Sequence, residues 1–122
     1  MERILVVDDE VDACYALKEF LSSKEYETET ALDGPTALKK VHEFNPHIVL
    51  LDITMPGMGG IDVLTEIRNI NPEIGVIMTT AVTDEEIAKN AMNLGAYDYI
   101  AKPLDLSYLE TVLMVKTIDI MR

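Results

Sequence analysis

Six side chains stand where short apolar runs end. Asp8 and Asp9 follow Ile4-Leu5-Val6-Val7, Asp52 follows Ile48-Val49-Leu50-Leu51, Thr79 and Thr80 follow Val76-Ile77-Met78, and Lys102 follows Tyr97 to Ala101. Carboxylates held close together repel and raise one another's pKa, and a divalent cation is the usual relief. Carboxylate, carbonyl and water oxygens suit Mg2+ better than a transition metal, and no His or Cys converges here to favour zinc. Mg2+, an ammonium and a threonine hydroxyl together cradle a phosphoryl group, neutralising its oxygens. The chain has no GxxxxGK[ST] loop, so no nucleotide-binding loop presents the phosphate. A carboxylate is therefore the candidate acceptor, forming an acyl phosphate. Asp52 is the natural choice, because it ends the central apolar run and precedes the loop Met55-Pro56-Gly57-Met58-Gly59-Gly60. Asp8-Asp9 is the natural metal clamp. Such a pair alone more often caps a helix, and only the company of Asp52 and Lys102 favours the metal.

Positioning these groups requires their runs to be strands of one sheet. Ile4 to Val7 is continuous and β-branched, as a strand buried on both faces should be. Val11, Cys14, Leu17 and Leu21 recur at helical spacing. Tyr26 to Ala31 reads as a strand with one wetter face. Asp33-Gly34-Pro35 is a turn with proline at the start of a helix, whose stripe is Ala37, Leu38, Val41 and Phe44. Pro46 stops it. A helix carrying Ile61, Leu64 and Ile67 follows the third strand, Thr83 and Glu86 have capping-box spacing, and Gly95 ends the helix they begin. Asp105 or Ser107 caps the last helix. Strand and helix alternate five times, which predicts an α/β domain: a parallel sheet with helices on both faces. Ligands of such a sheet bind beyond the carboxyl ends of its strands, where the six side chains lie.

The 122 residues are expected to form one domain. Ten basic against 22 acidic residues give a formal charge of −12, which repels phosphodiester backbones and argues against direct nucleic acid binding by this segment. No apolar run reaches the roughly 18 residues of a membrane span. The start lacks a signal peptide's pattern, and the single cysteine, Cys14, suits a reducing cytoplasm. Cytoplasmic location is the expectation.

Val6-Val7-Asp8-Asp9-Glu10, Leu50 to Met58, Thr80-Ala81 and Tyr99-Ile100-Ala101-Lys102-Pro103 together resemble the receiver (response regulatory) domains of two-component response regulators, over nearly the whole of residues 1–122. The resemblance implies a CheY-like, flavodoxin-like three-layer doubly wound fold with five parallel strands in the order 2-1-3-4-5. It implies that Asp52 takes a phosphoryl group from the phosphohistidine of a sensor kinase or phosphotransfer protein. Asp9 and Asp52 would bind Mg2+ through side chains, Thr54 through its backbone carbonyl, and Asp8 mostly through a water. Lys102 would pair with Asp52 at rest and with the phosphoryl group afterwards. Thr80 would bond a phosphoryl oxygen, Tyr99 would turn inward as Thr80 moves, and Lys102-Pro103 would be cis. The domain would catalyse only its own phosphorylation and dephosphorylation and would control an output domain or downstream protein. Gly59 departs from the pattern, standing where relatives often carry Asp. Thr54 and Val82 would flank the path of attacking water, and Gly95 to Tyr99 is similar to receivers that precede AAA+ transcription activators.

Thr79 competes with Thr80 as a strand neighbour pointing the other way, and the hydroxyl-alanine pattern selects Thr80. Tyr99 has the plainer reading of an aromatic packed on the sheet. His42 and His47 read as surface histidines, and Cys14 as an inert small hydrophobe. The last helix carries one stripe of Leu106, Leu109, Leu113 and Ile120 for docking. A second stripe, Met114, Ile118 and Met121, is a candidate surface for a homodimer mate or an output partner, against the plainer reading of broad core packing. The rival functions are an aspartate-nucleophile phosphatase, a flavodoxin-type flavin binder and an unphosphorylated docking module. The first usually needs an acid where Thr54 stands. The second needs a phosphate loop where Asp8-Asp9-Glu10 would repel the phosphate, and the intact acid, Lys and Thr set argues against the third.

Overall fold

The computed structural model describes residues 2–81 and 85–121. Strands and helices alternate as β1 (Arg3–Val7), α1 (Val11–Ser23), β2 (Glu27–Ala31), α2 (Gly34–Phe44), β3 (Ile48–Asp52), α3 (Gly60–Ile70), β4 (Gly75–Thr80), α4 (Glu85–Asn93), β5 (Asp98–Ala101) and α5 (Leu106–Met121). Every strand pairing is parallel and the order is β2-β1-β3-β4-β5. The chain steps from β1 to one neighbour, β2, then crosses back to the other, β3. That reversal opens a crevice at the carboxyl ends of β1 and β3.

Strand alternation divides the core into two layers. Ile4, Val6, Ile48, Leu50 and Ile77 pack with Cys14, Leu17 and Leu21 of α1 and Leu109, Val112 and Leu113 of α5. Leu5, Val7, Val49, Leu51, Val76 and Met78 pack with Ala37 and Val41 of α2, Val63, Leu64 and Ile67 of α3 and Ala91 of α4. β3 lies at the centre and all five of its residues are buried. Edge strand β2 is wetter, with Thr28 and Ala31 buried and Glu27 exposed.

The ends of the helices follow their residues. The Asp33 carboxylate accepts the Thr36 amide at 2.8 Å, with Pro35 in the first turn of α2. Gly95 ends α4 at φ +104°, where its lack of a β-carbon allows a left-handed residue. Asp105, rather than Ser107, caps α5, accepting the amides of Ser107 at 3.0 Å and Tyr108 at 3.2 Å.

Several expectations need correction. Val11 is 62% exposed, because it opens α1 before the helix reaches the sheet. Leu106 is 41% exposed at the first residue of α5, and Val112 takes its place in the core. β2 begins at Glu27 and β5 at Asp98, one residue later than the apolar pattern suggests, whereas β4 extends from Gly75 to Thr80. The Thr83 half of the capping box, Val82 and the side chains of Ile120 and Met121 lie outside the described residues. None of the helices in the described residues is long and apolar enough to cross a membrane.

Candidate functional site

The carboxyl edge of the sheet gathers Asp8, Asp9 and Asp52, each with a carboxylate oxygen within 4.8 Å of the others'. Sheet order causes this. Val7 pairs with Leu51, so residue 8 leaves β1 beside the last residue of β3. Asp8 and Asp52 are buried, and Asp9 is exposed, giving the cluster one solvent-facing member.

Each buried carboxylate is held at one oxygen by a backbone amide two residues on. Asp8 Oδ1 accepts the Glu10 N–H at 2.9 Å, and Asp52 Oδ1 accepts the Thr54 N–H at 3.1 Å. The other two oxygens share one ammonium. Lys102 Nζ donates to Asp8 Oδ2 at 2.8 Å and to Asp52 Oδ2 at 3.4 Å. The shorter bond goes to Asp8, so resting Lys102 does not pair with Asp52 alone. The Lys102 amide donates to the Thr80 carbonyl at 2.6 Å, and the Lys102–Pro103 peptide is cis, as the resemblance implies.

Burial raises the Asp52 pKa, against the Thr54 amide and Lys102, while the Asp8 charge adds to the rise. Burial of the Lys102 ammonium acts to lower its pKa. The Asp8 hydrogen bond and the Asp52 and Asp8 charges outweigh that, and the net shift is upward. An all-oxygen donor set with one open side fits a hard divalent cation such as Mg2+.

Thr79 is the register partner of Asp52, and Thr80 lies one residue further out, paired with Ala101. Both are buried. Thr54 is exposed, and Tyr99 is half-buried against the α2–α3–α4 layer, as its plainer reading expects. A β-carbon at Gly59 would meet only the Ile53 carbonyl oxygen.

Two contributors escaped the sequence reading. Cys14, buried in α1, donates its thiol to the Asp8 carbonyl at 3.3 Å, and burial with the Asp8 charge pushes its pKa up to about 11. Its place on the apolar stripe just after Asp8 was the available signal. Gly60 seats α3 on the Asp52 peptide, signalled by consecutive glycines at a helix start. His47, at the opposite end of the sheet, is no plain surface residue. Its Nδ1 accepts the Arg3 amide at 2.9 Å.

Residues 4–114 match the family described as the response regulator receiver domain. Over 112 residues the chain is 39% identical to the regulatory protein AtoC of Escherichia coli K12, which covers 92% of this chain and 24% of that protein. It is 37% identical over 107 residues to the chemotaxis protein CheY of Thermotoga maritima, covering 87% and 89%. The crystal structure of the receiver domain of NtrX from Brucella abortus superposes with a TM-score of 0.87 at 38% identity, covering 93% and 96%. The chain thus spans about a quarter of AtoC and most of that CheY.

Proposed function

Because this chain belongs to the response regulator receiver domain family, we propose that Asp52 is the phosphoacceptor of a two-component switch formed by residues 1–122. One Asp52 oxygen attacks the phosphorus of a phosphohistidine on a sensor kinase or phosphotransfer protein. The P–N bond breaks, and the departing imidazole takes up a proton. Asp9 and Asp52 side chains and the Thr54 carbonyl would hold Mg2+, with Asp8 acting mostly through a water. When bound, Mg2+ supplies charge neutralisation at the phosphoryl oxygens.

The chain's own groups do the rest. Lys102 turns its ammonium from the carboxylates to a phosphoryl oxygen, and the Thr80 hydroxyl donates to another. Movement of Thr80 draws Tyr99 inward and biases the face formed by α4, β5 and α5. Such coupling is worth about 1–3 kcal/mol, enough to shift a population without refolding. The protein acts in the cytoplasm as a signalling module, catalysing only its own phosphorylation and dephosphorylation, and its output is a further domain or a separate protein. Met114 and Ile118, each 55% exposed on α5, support a second copy or output partner there.

One observation carries the reading: an ammonium and two further carboxylates converge on Asp52 at the carboxyl edge. A phosphatase reading has no second acid at Thr54. With acetyl phosphate and Mg2+, the wild type acquires one label and folded Asp52→Asn none. Stoichiometric labelling of the variant with the same acyl-phosphate chemistry refutes the proposal.

A further inference from the structure

α3 begins against the backbone of the phosphoacceptor. A β-carbon on Gly60 would overlap the Asp52 carbonyl oxygen outright and lie 2.7 Å from Ile53 Cα and 3.0 Å from the Asp52 carbonyl carbon. All three obstacles are backbone, which has no side chain to swing aside. The Gly60 amide also donates to the Ile53 carbonyl at 3.0 Å, closing the loop between β3 and α3 onto itself. Gly59, one residue earlier, is different. A β-carbon there would meet only the Ile53 carbonyl oxygen, at an ordinary 3.9 Å.

We infer that Gly60 is a positioning residue for phosphoryl transfer: its bare α-carbon lets the first turn of α3 fix the Asp52–Ile53 peptide, and with it the aim of the Asp52 carboxylate. The inference rests on Asp52 being the acceptor. A side chain at 60 must force apart the first turn of α3 and the Asp52–Ile53 backbone, from which the reacting carboxylate projects, and misplacement by about 1 Å can slow a reaction by about 100-fold.

The experiment compares Gly60→Ala with Gly59→Ala. Gly59 is the N-cap and Gly60 the first helical residue of α3. Alanine costs stability at the cap and gains it inside the helix, so propensity alone favours Gly60→Ala and only the clash disfavours it. Acetyl phosphate labelling rates are measured with Mg2+ and expressed per folded molecule, adding trimethylamine N-oxide if Gly60→Ala is partly unfolded. Amide NMR of the metal-free proteins reports the Thr54 N–H that bonds Asp52 Oδ1. Gly60→Ala should lower the rate about 10- to 100-fold and move the Thr54 resonance, while Gly59→Ala keeps the wild-type rate. Wild-type rate and Thr54 shift in folded Gly60→Ala overturn the inference. So does failure of Gly60→Ala to fold with the osmolyte, since the contact then serves the fold rather than the site. Absence of labelling in the wild type would instead remove the acceptor reading itself.

Discussion

Replacing Lys102 with Met removes the ammonium that bonds both Asp8 and Asp52 while keeping its apolar stem. At an effective dielectric of about 20, unit charges at these separations attract by about 6 kcal/mol toward Asp8, 2.8 Å away, and about 5 kcal/mol toward Asp52, 3.4 Å away. Desolvation of the ammonium, on a lysine side chain that is only 20% exposed, offsets much of this. Removing one partner of such a buried group costs about 3–5 kcal/mol, because uncompensated carboxylates remain. For a domain of this size, at about 4 °C per kcal/mol, the metal-free melting temperature should fall by roughly 12–20 °C. If Mg2+ occupies the acidic cluster as proposed, it should stabilise Lys102→Met by a larger margin than wild type, since the cation would restore the lost positive charge in the folded state alone. The variant's Asp52 pKa rises further, so its folded state holds a proton that the unfolded chain releases. Its metal-free stability is lowest at neutral pH and recovers as pH falls through the raised folded value. Thermal melts with EDTA and with Mg2+, at neutral and acidic pH, measure all three. An EDTA melt matching wild type, or an equal Mg2+ increment in both proteins, refutes the electrostatic account.

Burial, with the Arg3 charge and against Glu2, lowers the His47 pKa from its ordinary 6.5. Its contribution to stability is complete above that ordinary value and is lost as pH falls below it through the lowered folded value. His47→Gln should flatten the difference in stability between about pH 7.5 and 5.5, and an unchanged acid limb would show that the imidazole is not held neutral. If α5 carries the dimer, sedimentation should show phosphorylation-dependent association that Met114→Glu abolishes. A monomer in every state excludes that interface.

Much of the architecture was legible because it is written in local periodicity. β3 reads as a doubly buried strand from Ile48-Val49-Leu50-Leu51 alone, and all of it is buried. Asp33 with Pro35 announces α2, and Gly95 announces the end of α4. Val11 and Leu106 misled because periodicity assigns a residue to a stripe without saying whether the first turn of the helix reaches the sheet. The acids of the candidate site were visible because each follows an apolar run, and parallel strands deliver such positions to one edge. The strand order came from resemblance rather than from the pattern of apolar residues.

Local pattern alone carries the element types, the helices on both faces of the sheet and the residues arriving at the carboxyl edge, since each depends on neighbours within a few positions. Which groups meet there depends on how distant segments pack. Lys102 and Asp8 are 94 positions apart, and strand order with backbone geometry, rather than residue type, gives Asp8 the shorter bond. Gly60 was a helix-start glycine until the fold laid the Asp52 peptide beneath it, and His47 a polar residue until β1 brought the Arg3 amide to its ring. Periodicity is a property of one segment; a contact is a property of two, and only packing the whole chain selects the second.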